Sequence, residues 1–338
     1  MEEEEAIEGI RESSRNLLLM NRRQKRDAVS DEKRPLPNLR PNSDAVTQIA
    51  NKLKTKSAVT ASELRALKNS LIDDAANIEI ILHTHGALRG IVRELSSHGL
   101  NKQFEAIGCC CNLGLGDAKA GLTVTKAAGP YLIAALDSLN ADLAISSAWA
   151  LGNLAGSGPR ASEVLMAQGC VARLTHLLVC NYEDLRESVL YALVHLCNQL
   201  KDNLPSEYVT KILSILPRLR LSMSAHLLFI LSCHRDFRTC FQSYFLLDEF
   251  ILKVLHFMSV SIEKSLDDLN IVYVFRLIAN MNCVYTFDKF LSYFVENDKM
   301  HVLQKLLETD QVNESVLWFL GNAYKCCSEH TMFKLLLS

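Results

Sequence analysis

Trp149-Ala150-Leu151-Gly152-Asn153 returns further along the chain as Trp318-Phe319-Leu320-Gly321-Asn322, with the Trp-x-x-x-Asn spacing kept. Similar apolar segments end at Asn69, Asn112, His195, Ile230 and Asn280, so that the successive steps are 43, 41, 42, 35, 50 and 42 residues. A period near 42 built from apolar residues at three- and four-residue steps marks stacked helical repeats. Each repeat is too small to bury its own apolar face and depends on its neighbours. Trp and Asn four apart stand one above the other on a helix face. That pairing suits a surface that grips an extended peptide.

Bulk composition agrees. The 338 residues suit two ordinary domains or one long array, and 49% of them are apolar, enough for a continuous core. Aromatics are 7%, with 14 glycines and 7 prolines, as stacked helices require and a β-rich fold does not. The expectation is an all-α, right-handed solenoid of armadillo or HEAT type. A net charge of −2 gives no general affinity for nucleic acid. Of the eleven cysteines, Cys109-Cys110-Cys111 and Cys326-Cys327 are adjacent runs, and no Cys-x-x-Cys pair occurs. Buried thiols in a reducing compartment are the expectation, with no metal and no cofactor. The N-terminus reads Met-Glu-Glu-Glu-Glu, unlike a secretory leader. The most apolar long stretch, 241–262, is broken by Asp248, Glu249 and Lys253, so no membrane span is expected. His83-Thr84-His85 lacks carboxylates at ligand spacing, and neither a G-x-S-x-G elbow nor a phosphate-binding glycine loop occurs, which argues against an enzyme.

Along the chain, residues 1–42 stand apart. Four glutamates lead into Arg11, Arg15, Arg22, Arg23, Lys25, Arg26, Lys33 and Arg34, then Pro35, Pro37 and Pro41. This reads as a mostly disordered basic arm on an extended linker. Residues 43–338 read as the repeat array, in units at about 43–75, 76–118, 119–158, 159–203, 204–240, 241–286 and 287–327, with a partial unit at 328–338. Gly86, Gly129 and Gly169 each precede an amphipathic segment and predict a sharp corner between helices. Pro130 then falls in a first helical turn.

The residues themselves resemble a family. Ser147 to Gly156 is similar to the third helix of an importin-α armadillo repeat. Asp184 to Leu193 and Phe104-Glu105-Ala106 with Asn112 resemble the same helix in flanking repeats. The likeness extends from about 43 to 327 and includes divergent relatives named for transmembrane and coiled-coil domains. It implies an adaptor of cytoplasm and nucleus that holds basic nuclear localisation signals in an inner groove. Tryptophans there sandwich lysine stems, and asparagines fix the peptide main chain. Trp149 with Asn153 and Trp318 with Asn322 are the complete pockets; Asn112, Asn280, Arg276 and Tyr191 fill further positions. Gly108, His195, His226, Ile230 and Ser157 depart from the pattern, Ser157 standing where an acidic residue pairs with the key lysine. The arm, through Arg22, Arg23, Lys25, Arg26, Lys33 and Arg34, resembles the segment that binds an importin-β-type carrier and folds back onto the groove. The partners implied are proteins bearing basic linear signals, and that carrier. The alternative is a structural scaffold that kept the solenoid and lost signal binding. Packing is the competing role for Trp149, Tyr191 and His195. Asn112 and Asn280 stand equally for bonds to a neighbouring helix, and Asp184 and Glu187 for capping.

Overall fold

The computed structural model describes residues 43–264, 269–297, 299–310 and 312–326. The basic arm and the tail beyond Cys326 lie outside them. The described residues are helical and divide into two compact units, with the boundary after Leu200.

The first unit holds α1 (Ser43–Lys54), α2 (Ala61–Asp73), α3 (Ala75–His83), α4 (Ala87–Leu95), α5 (Leu100–Leu113), α6 (Ala118–Ala135), α7 (Ala141–Gly156), α8 (Pro159–Ala167), α9 (Cys170–Leu177) and α10 (Glu183–Leu200). Sequence explains where these begin. Thr60 opens α2 with a capping box: its hydroxyl accepts the Glu63 N–H at 3.2 Å, and the Glu63 carboxylate accepts the Thr60 N–H at 2.9 Å. Asp117 caps α6 through the Ala120 N–H, and Asn140 caps α7 through the Leu143 N–H. Gly86 and Gly169 sit at φ 90° and 85° immediately before α4 and α9, where a side chain would be strained.

The third expected corner is absent. Gly129 and Pro130 lie inside α6, which runs from Ala118 to Ala135 without a break. Proline removes one intrahelical bond and crowds the carbonyl four residues back. The helix nevertheless continues through both residues. Gly129 is buried in this helix, where a Cβ would meet only the movable end of the Gln168 side chain, 2.2 Å from its oxygen, so this glycine makes no turn.

Within each unit, the last helix of a repeat packs against its counterpart in the next. In the first unit this gives the series α2–α5–α7–α10, and the other helices form an outer layer on it. Leu64, Leu67, Ala106, Cys110, Leu151, Leu154, Leu193 and Leu196 form its core. Burying each leucine contributes roughly 1.5–3 kcal/mol.

The second unit holds α11 (Ser206–Ile215), α12 (Leu221–Ser232), α13 (Phe237–Gln242), α14 (Leu247–Lys264), α15 (Leu269–Met281), α16 (Val284–Glu296), α17 (Met300–Glu308) and α18 (Asn313–Cys326). Its series is α12–α15–α18. Phenylalanines replace leucine at the centre: Phe319 lies 5.5 Å from Phe275, 5.6 Å from Phe287 and 5.2 Å from Phe290, ring centre to ring centre. These tilted and edge-on pairs each add about 0.5–1.5 kcal/mol beyond burial. No described helix is long and apolar enough to cross a membrane.

Candidate functional site

The expected ligand residues lie on the repeat-ending helices, and the two Trp-x-x-x-Asn motifs are in different states. In the first, all three distinctive residues of the motif engage Tyr191 of α10. The Tyr191 ring lies 4.2 Å from Trp149, centre to centre. Its hydroxyl donates to Asn153 Oδ1 at 2.7 Å. Gly152 makes room, since a Cβ there would stand 2.5 Å from the Tyr191 ring. His195 adds an edge contact at 4.5 Å. A lysine stem between two rings needs a contact of about 3.5–4 Å on each side, or ~7–8 Å in all. Tyr191 therefore fills the place that such a stem would take between it and Trp149.

The asparagines reach backward. Asn112 Nδ2 donates to the Lys68 carbonyl at 2.8 Å, and Asn153 Nδ2 donates to the Cys111 carbonyl at 3.2 Å and to its sulfur at 3.1 Å. In the second unit Asn280 Nδ2 donates to Ser232 Oγ at 2.8 Å. Each amide thus ties its helix to the corresponding helix of the repeat before, and Asn153 is only 2% exposed. Buried amides must be bonded, because leaving one open costs on the order of 1–3 kcal/mol.

Other positions carry internal partners as well. Gly108, in the place of a stacking tryptophan, lies under Lys68, whose Cδ would be 2.4 Å from an added Cβ. Lys68 and Arg65 both pair with the buried Glu105 at 2.7 Å. Arg276 donates from Nε to Ser315 at 2.9 Å, pairs with Glu314 at 3.3 Å and lies over the Phe229 ring. Burial lowers its pKa, and the Glu314 carboxylate opposes that. His226 stacks on Tyr273 at 3.9 Å. Ile230 is buried in α12. Ser157 ends α7 by donating to the Leu154 carbonyl at 2.6 Å. The sequence carried no signal for the Cys111 carbonyl and sulfur or the Ser232 hydroxyl as acceptors, since nothing within a helical segment marks which of its groups the next repeat will meet.

The second motif is open. Trp318 is half-buried, with its indole N–H covered but unbonded, and no described ring stacks on it. Apart from its chain neighbours and the backbone of its own helix, nothing among the described residues lies within 4 Å of a Cβ placed on Gly321. Arg22, Arg23, Lys25, Arg26, Lys33 and Arg34 lie outside the described residues.

The sequence matches no protein-family model and no curated protein. Among solved structures, the chain is similar to an engineered protein at a TM-score of 0.64 and 20% identity, covering 82% of this chain and 68% of that one. It is also similar to a designed armadillo repeat protein at a TM-score of 0.50 and 16% identity, covering 82% and 99%. The fold is an armadillo-repeat solenoid. At these identities the likeness is one of architecture, and the chemistry has to be argued from this chain's own residues.

Proposed function

We propose that this protein is an importin-α-like adaptor that holds a linear, Lys/Arg-bearing segment of a partner protein on its repeat-ending helices for import into the nucleus. The observation that supports this most is Trp318 with Asn322, one turn apart on α18: an indole on which no described ring stacks, beside a half-buried amide. A lysine stem on that indole gains roughly 0.5–2 kcal/mol. The amide offers a donor and an acceptor to an extended main chain. One open pocket supports weak capture, so a useful affinity needs contacts to further residues of the segment. In this reading the arm occupies the ligand surface until an importin-β-type carrier draws it away, and the protein moves between cytoplasm and nucleus.

A second reading is favoured by a specific observation. Tyr191 against Trp149, with the amides of Asn112, Asn153 and Asn280 bonded internally, suits an interaction scaffold that has given up the standard basic signals.

Fluorescence anisotropy with a labelled lysine-rich signal peptide separates the two. The adaptor reading expects saturable binding that falls about tenfold or more in Trp318→Ala with Asn322→Ala, and rises when residues 1–42 are removed. No binding by the full chain or by the shortened chain sinks it and leaves the scaffold.

A further inference from the structure

The two copies of the motif can be compared position by position, and the first states what the second lacks. Around Trp149, Gly152 and Asn153, the neighbouring helix α10 lays a tyrosine ring on the indole and against the glycine, and places its hydroxyl on the asparagine. Ala148 and Ala155, on either side of this cradle, are 0% exposed. At the corresponding positions of α18, Leu317 and Tyr324 are 59% and 71% exposed. Gly321 meets no described residue outside its own helix, and the Trp318 N–H is unbonded. The flank that receives the next helix throughout the series α12–α15–α18 is therefore bare on its last described member, with the cradle intact.

We infer that this flank of α18 docks a tyrosine-bearing helix of another protein, stacked as α10 stacks on α7. The tyrosine ring covers Trp318 and Gly321, its hydroxyl bonds Asn322, and apolar neighbours one turn away cover Leu317 and Tyr324. The occupant's chemistry follows from the filled cradle, and its place follows from continuity with the existing stack. Residues 327–338 contain Phe333 and no tyrosine, so the phenol that fills the first cradle has no counterpart among them. This inference goes beyond the basic-segment reading: both occupants use the Trp318 indole and the Asn322 amide and would exclude one another, but only the helix also needs the space over Gly321.

The test uses the full chain and a labelled, helix-stapled peptide with the sequence of residues 183–200, which carries the tyrosine that fills the first cradle. Saturable binding is expected, weakened about tenfold or more when the peptide tyrosine becomes alanine, and equally weakened by Gly321→Ala in the protein. That variant adds one methyl group at an open helical position, so its urea midpoint should match or exceed the parent's. Equal affinity of parent and Gly321→Ala overturns the inference. So does the absence of saturable binding, the result if residues 327–338 cover the flank themselves. A concentration-dependent dimer abolished by Gly321→Ala assigns the flank to a second copy, and that too overturns it. A lysine-rich peptide measured alongside keeps the questions apart: its capture should survive Gly321→Ala and fail in Trp318→Ala.

Discussion

Tyr191 carries more structural information than any other single side chain, because it touches every distinctive residue of the motif in the helix before it. Removing only its hydroxyl in Tyr191→Phe deletes the bond to Asn153 and should cost about 1 kcal/mol. Tyr191→Ala also empties the space over Gly152 and should cost about 3–5 kcal/mol. Urea unfolding of both variants checks the ratio, and equal losses would show that the ring contributes nothing beyond its hydroxyl. Glu63 offers a titration. Its bond to Lys52, with the Thr60 N–H next in weight, lowers its pKa from 4.5 to about 2. Because the folded value is the lower one, the stabilisation is complete above the unfolded value and fades as pH falls from about 4.5 toward 2. The Glu63 carboxyl followed by NMR should titrate near the lower limit, and Glu63→Gln should lose most of its penalty in acid. Burial pushes the thiols of Cys110 and Cys197 up to about 12 and raises Cys109 and Cys170 as well. Iodoacetamide at neutral pH should therefore spare all four until the chain unfolds, as peptide mass spectrometry would report.

Among the helices, α6 gives the sharpest case. A proline inside a helix costs up to about 3 kcal/mol relative to alanine. Pro130 is exposed, so Pro130→Ala should raise the thermal midpoint. A lowered midpoint would mean that the missing N–H or the ring shapes the junction with the next repeat. The sequence reading erred at this place because Gly-Pro is a strong local breaker, whereas the burial of Gly129 and of Leu132 that the helix carries through it leaves no local trace. By contrast, the corners at Gly86 and Gly169 were legible, since a positive φ there is a local demand that glycine alone meets cheaply. The repeat period and the position of each Asn were legible for the same reason: periodicity is written in the chain. What an Asn bonds was not. Asn112, Asn153 and Asn280 share one residue type and one helical position, yet their acceptors lie more than forty residues back. Trp149 and Trp318 likewise read as equivalent, and only the neighbour of each helix distinguishes a filled cradle from an open one.

At the scale of the molecule, each unit is a linear array whose stability is carried by nearest-neighbour junctions. The α7 helix is buried along almost its whole length between α5 and α10, whereas α17 buries only Leu303 and Leu306. Hydrogen exchange should be slowest in α7 and markedly faster in α17, and the reverse order would contradict the packing. The backward-pointing amides have a last consequence, for anyone who recombines such arrays. Asn153 clasps the helix before it and the tyrosine after it in the same stroke, so a repeat excised at its own loops leaves both clasps severed. A transplantable cassette must instead run from the middle of one helix hairpin to the middle of the next, carrying each grip together with what it holds.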